Sequence, residues 1–199
     1  QPNGRQGLSL KEMSPDQKIL AHSLLGSALS HRGLLEASEV MLLEQILYDQ
    51  SGNDIRDVEL YHIAIFGTPD QSGTWSWRFE GHHLSLNFSL VSGRIFSVTP
   101  SFFGASPAKT NEGRHSGMRV LQAEEEKARK LVRSLNFPQK KMALLSNKPP
   151  REILSGQKNT IERKSFLPAK GLPVTKMNSR QRGWLEELIF AYSAKHRPE

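Results

Sequence analysis

Residues 75–88 read Trp75-Ser76-Trp77-Arg78-Phe79-Glu80-Gly81-His82-His83-Leu84-Ser85-Leu86-Asn87-Phe88. Side chains alternate between the two faces of a β-strand, so the parity of the large apolar residues marks the inward face. Before Gly81 these residues are odd-numbered (Trp75, Trp77, Phe79), and after it they are even-numbered (Leu84, Leu86, Phe88, Leu90). One regular strand cannot change parity and keep its apolar face inward. Glu80-Gly81-His82 is therefore a bulge or a tight turn, with glycine as the permissive residue.

Working outward, Tyr61-His62-Ile63-Ala64-Ile65-Phe66 reads as a short apolar strand closed by Gly67-Thr68-Pro69-Asp70. Residues 74–79, 83–91 and 94–99 follow as strands, with turn signals at Glu80-Gly81 and Ser92-Gly93. This predicts an antiparallel β-meander over about residues 60–99. Helices flank it. Ser14-Pro15-Asp16-Gln17 combines an N-cap, a proline at the first helical position and a capping glutamine, which predicts a helix to about residue 30 that stops near Gly33. Ile19, Leu20, Leu24, Leu25 and Ala28 would form its apolar side.

A second helix is predicted over 35–49, with Val40, Leu43, Ile46 and Leu47 inward, and a third over 116–134. Cap signals at Asn136-Phe137-Pro138-Gln139 and Asn178-Ser179-Arg180-Gln181 open two more, through about residues 145 and 195. Residues 147–177, rich in proline and glycine, read mainly as loop. A chain of 199 residues arranged in this way is expected to be a single α+β domain over 1–199, with helices packed on a central meander.

The composition narrows the chemistry. With 37% hydrophobic and 24% charged residues the chain reads as an ordinary globular protein, and its apolar runs fall far short of the ~20 residues of a membrane helix. There is no cysteine, which excludes disulfides, thiolate metal sites and Cys nucleophiles, so any metal would take His, Asp or Glu. No Walker loop, G-x-S-x-G elbow or dinucleotide fingerprint is present.

The net charge of +7 is uneven: residues 127–182 hold 15 Lys/Arg against two Glu, whereas residues 1–126 hold 10 basic against 15 acidic. Because the basic segment has only Phe137 and Phe166 as stacking platforms, a solvated surface is expected there rather than a nucleic-acid site. The chain begins Gln1-Pro2-Asn3-Gly4, with no Met and no apolar leader, so a secreted or periplasmic protein with its signal peptide removed is expected over a cytoplasmic one.

The residues that carry chemistry gather at the parity change. His82 and His83 are candidate ligands of a divalent metal, and Glu80 is a candidate catalytic base or further ligand. Arg78 and Asn87 lie near enough in sequence to bind a small ligand beside them. Adjacent histidines on a regular strand point to opposite faces, and an irregular backbone at Gly81 removes that objection. The alternative reading is structural: one histidine bonds a carbonyl at the bulge, the other is solvated, and Glu80 pairs with Arg78 or Arg94. A catalytic zinc needs three protein ligands, and His22, His31, His62, His115 or His196 could each supply a third. The loop Ser101-Phe102-Phe103-Gly104 follows, and Phe102 and Phe103 could wall a pocket or pack under the third helix.

The run Trp75–Phe88, the upstream Tyr61-His62-Ile63-Ala64-Ile65-Phe66-Gly67-Thr68-Pro69 and the downstream Thr99-Pro100-Ser101-Phe102-Phe103-Gly104-Ala105-Ser106-Pro107-Ala108 together resemble the family catalogued as domain of unknown function 3500. The likeness extends through Leu121 and Glu125, Pro138-Gln139, and Gly171-Leu172 before Gln181. It implies no set activity. It does imply an exported bacterial protein and longer relatives whose C-terminal part carries a His-x-His arrangement and an Arg-Asp pair. The expected function is thus an exported protein with a His-based metal or small-ligand site, hydrolytic or oxidative if an enzyme. The rival is a non-catalytic binding module presenting the Phe102-Phe103 loop or the basic segment 127–182 to a partner.

Overall fold

Among the described residues, five α-helices and a six-stranded antiparallel sheet confirm the α+β class. The computed structural model describes residues 4–149 and 169–197, grouped as two compact units, one up to Gln122 and again from Ala191, the other over Ala123–Phe190. Most of the predicted loop at 147–177 lies outside the described residues; within it a short 3-10 turn spans Val174–Lys176.

In the first unit, strands β1 (Leu8–Ser9), β2 (His62–Phe66), β3 (Thr74–Glu80), β4 (Leu84–Val91) and β5 (Arg94–Ser97) pair in chain order, and β6 (Ser101–Phe103) also joins β4. The far edge of β4 is shared, with β5 along its last residues and β6 along Leu84, Ser85 and Leu86. Sequence reading placed 101–103 in a loop and missed β1, because strands of three and two residues carry no periodicity.

The parity change is the turn of a hairpin. Phe79 faces Leu86 and Trp77 faces Phe88, so odd residues of β3 and even residues of β4 share one face, and Glu80 pairs with Ser85 at the closed end. Of the two predicted explanations the tight turn is the one found. That shared face forms the core: Trp77 stacks on Phe88 at 4.3 Å, and Phe79, Leu84, Leu86 and Tyr61 are fully buried with them.

Two helices complete this unit. Helix α1 (Pro15–Ala28) starts at the predicted capping box, where the Ser14 side chain accepts from Gln17 N–H and the Gln17 side chain accepts from Ser14 N–H. Its buried residues are Ala21, Leu25 and Ala28, whereas Ile19 and Leu20 are exposed. Helix α2 (His31–Ser51) begins at an Ser30 N-cap, four residues earlier than predicted. Gly33 does not stop a helix. It sits inside α2, where an added Cβ would lie 1.9 Å from the Lys195 carbonyl oxygen, so the chain's end crosses the helix at its backbone.

The buried stripe of α2 is Gly33, Glu36, Ala37, Val40, Leu43 and Glu44, the 3-4 spacing of one helical face with two carboxylates set into it. Glu36 is neutralised by Arg32 at 2.8 Å and by the buried Lys195 at 2.7 Å, whose ammonium also sits 4.3 Å from the Phe103 ring centroid.

The second unit is built from α3, α4 and α5. Helix α3 (Gln122–Arg133) starts six residues later than predicted, because residues 116–121 form turns. Helices α4 (Phe137–Ala143) and α5 (Ser179–Ser193), whose last residues fall in the first unit, both open at Asn-x-x-Gln boxes. Those boxes are joined. Gln139 Nε2 donates to Gln181 Oε1 at 2.9 Å, and Gln181 Nε2 donates to Gln139 Oε1 at 3.0 Å. The remaining amide protons reach the Lys176 and Ser134 carbonyls, so a buried polar pair is satisfied on every side. No helix among the described residues is long and apolar enough to cross a membrane.

Candidate metal centre

The hairpin turn decides where the two imidazoles point. Gly81 N–H bonds the Leu84 carbonyl at 2.9 Å, which leaves His82 and His83 as the two loop residues between the closing pair. Both rings then lie on the same side. They stack with centroids 4.4 Å apart and planes 4° from parallel, in contrast to the opposed arrangement of neighbours on a strand.

Gly81 makes this approach feasible by its lack of a side chain. A Cβ there would lie 2.4 Å from two carbons of the Tyr61 ring, so the turn rests directly on the buried phenol. The Tyr61 ring is in turn fixed by stacking on Phe79 at 5.5 Å.

The third member comes from α2. Glu44 is 1% exposed, and its carboxylate meets His83 Nδ1 through one oxygen and lies 3.6 Å from His82 Nδ1 through the other. Arg56 donates to both of its oxygens, at 3.1 and 3.3 Å. Arg56 reaches back because Gly52, at φ +62°, ends α2 and the following 3-10 turn Asp54–Arg56 folds over the helix terminus. Glu44, His82 and His83 each offer one ligand atom, and these atoms all lie within 4.8 Å of one another.

The electrostatics are those of a shared charge site. Burial pushes the Glu44 carboxyl up, but the His83 hydrogen bond and charge, with Arg56 and His82, outweigh it and hold the group below the usual carboxylate range. Burial lowers His82, and its neighbours His83, Arg56 and Arg5 add to this against the pull of Glu44. Tyr61 is 1% exposed, and its hydroxyl, beside the His83 backbone, has no hydrogen bond of ordinary geometry. Burial, then the Glu44 charge, keeps that phenol protonated well beyond its usual range.

The other residues singled out in the sequence occupy the neighbouring sheet face. Glu80 is ion-paired with Arg78 at 3.1 Å, and the register sets these two opposite Ser85 and Asn87. Arg78 also lies 5.5 Å over the Phe66 ring, and Asn87 donates to the Pro100 carbonyl at 2.8 Å. Phe102 pairs with Ser85 on that face, and its ring and the His83 ring both border Gly104, whereas Phe103 pairs with Leu84 and packs on the core.

His62 bonds the Leu60 carbonyl and His196 bonds Ser101, while His22, His31 and His115 are exposed. None of these histidines belongs to the cluster found among the described residues. In the basic segment, Lys127 and Lys130 face Glu187, and Lys130 and Arg180 lie over Trp184; residues 150–168 of that segment lie outside the described residues.

Sequence reading named both histidines but not Glu44, Arg56 or Tyr61. A signal for Glu44 existed: it stands four residues after Val40 and one after Leu43, so it falls on the inward stripe, where an unpaired carboxylate would be costly.

The family model described as a protein of unknown function (DUF3500) matches residues 1–199, the whole chain. No curated protein and no solved structure matches it.

Proposed function

We infer that this chain, which belongs to the DUF3500 family, binds a divalent metal ion through Glu44, His82 and His83. The observation that carries the reading is the convergence of two imidazole nitrogens and one carboxylate oxygen within 4.8 Å, from elements 38 residues apart in sequence.

Two histidines and a carboxylate are the donor set of hydrolytic zinc sites and of oxidative iron sites, both of which keep positions open for water or substrate. Donors around a tetrahedral ion bonded at about 2.0–2.1 Å stand about 3.4 Å apart, so binding would open the Glu44–His83 contact and turn the two parallel imidazoles toward the ion. An ion would take the place of the hydrogen bond between Glu44 and His83.

When bound, the ion would supply Lewis acidity and lower the pKa of a water. His83, with Arg56 and His82, keeps Glu44 ionised, and Glu80, held by Arg78 at the end of the strand that leads into the turn, is the candidate base.

The test is thermal unfolding with zinc, manganese or ferrous ion added to chelator-treated protein. Binding to the folded state alone stabilises it by about 2.7 kcal/mol at a hundredfold excess over Kd. An upward shift in wild type that is lost in Glu44→Gln and in His83→Ala, and kept in Glu80→Gln, is expected. A shift that survives both ligand substitutions would overturn the assignment.

A further inference from the structure

The surroundings of the centre are more cationic than its ligands require. Arg5 reaches across from the N-terminal segment and donates from Nη2 to the Gly81 carbonyl at 3.1 Å, on the turn that carries both histidines. It makes no other hydrogen bond or ion pair among the described residues, so a half-buried guanidinium keeps most of its five donors free beside the site. Arg56 is the second guanidinium, and both act on the His82 imidazole, the more exposed of the pair. Among the described residues, Glu44 is the one carboxylate in direct contact with the two rings. Two guanidinium charges and a divalent ion against one carboxylate leave about three positive charges unbalanced in a partly desolvated site.

We propose that the ligand received at this centre is a small molecule bearing an oxyanion, a carboxylate or a phosphate, which bridges the ion and the Arg5 guanidinium. The proposal rests on the metal reading above. Arg5 is a binding residue in this scheme: its planar fork matches two oxygens of such an anion, and its bond to Gly81 holds it at the turn. Phe102, whose ring borders Gly104 as the His83 ring does, would meet the apolar remainder of the molecule.

The experiment uses the full chain loaded with cobalt(II), whose visible spectrum reports its ligands, titrated separately with inorganic phosphate, acetate and neutral imidazole. In wild type, phosphate or acetate is expected to perturb the spectrum saturably and more tightly than imidazole. Whichever anion binds more tightly identifies the class. Arg5→Gln is expected to weaken anion binding by about tenfold to a hundredfold, Arg5→Lys by less, with cobalt content unchanged in both.

Cobalt that gives no protein-bound spectrum in wild type would overturn the metal reading and this proposal together. A normal cobalt spectrum that anions leave unperturbed, or on which imidazole outcompetes both anions, would overturn this proposal alone. Equal anion affinity in Arg5→Gln would do the same. If that variant failed to fold, the ranking of anions against imidazole in wild type still decides.

Discussion

Replacing Gly81 by alanine tests whether the turn sits where the centre needs it. The new methyl would lie 2.4 Å from Tyr61 Cδ1 and Cε1 and 2.6 Å from Cζ, about 1 Å inside ordinary contact. The ring cannot yield, because it is 1% exposed and stacked on Phe79. The turn must lift instead, and its hydrogen bond to Leu84 and the His83 contact with Glu44 lengthen with it. Overpacking of this kind costs about 1–3 kcal/mol, against a gain of about 0.4–1 kcal/mol from the stiffer unfolded chain. The net of about 1–2 kcal/mol lowers Tm by roughly 2–8 °C for a protein of this size.

Gly183 is the control. It lies in α5 with nothing within 4 Å, so Gly183→Ala gains up to about 1 kcal/mol of helix propensity and raises Tm. Differential scanning calorimetry of the two variants should therefore give shifts of opposite sign. A Gly81→Ala protein as stable as wild type would refute the close seat of the turn on Tyr61 and, with it, the convergence of the two rings.

His82 and His196 are both held below 6.5 by burial, so the unfolded chain binds more protons as pH falls; their contribution is complete above about pH 6.5 and is lost as pH falls through their lower folded values. Glu44, held below 4.5, adds a second loss below that pH, so urea midpoints should fall steadily on acidification, and a flat profile from pH 7.5 to 4 would contradict this. Gln181→Leu strands the Gln139 amide and the Ser134 carbonyl and should cost about 2–4 kcal/mol by denaturant unfolding, whereas Gln139→Leu/Gln181→Leu should cost less than the sum of the two single variants. Lys195→Met leaves Glu36 with Arg32 alone and should cost about 3 kcal/mol; an unchanged Tm would show that the buried pair adds nothing.

The sheet was legible because its signal is local. Fourteen residues fixed a hairpin and its inward face, and the parity change at Gly81 located the turn. Cap chemistry likewise marked α1, α4 and α5, since an Asn or Ser with a glutamine three residues on acts within one turn. What failed was non-local. Gly33 looked like a stop because its actual reason, the Lys195 carbonyl crossing the helix, lies more than 160 residues away. Ile19 and Leu20 looked buried because hydrophobicity sets no direction without the partner face. For the centre, the histidine pair stood out as adjacent imidazoles, whereas Glu44 is one of 20 acidic residues until the helical phase of α2 is known. Arg5 carried no signal at all, because its role depends on where the N-terminal segment crosses the turn.

The most direct test of the metal centre is the metal content of the protein itself, by plasma mass spectrometry after purification without chelator or metal-affinity resin, in wild type and in Glu44→Gln. The geometry predicts close to one divalent ion per chain in wild type and little in the variant, with both proteins folded. A wild type that holds no ion and takes none up when it is offered, or a variant that holds as much as wild type, would contradict the assignment of Glu44, His82 and His83 as its ligands.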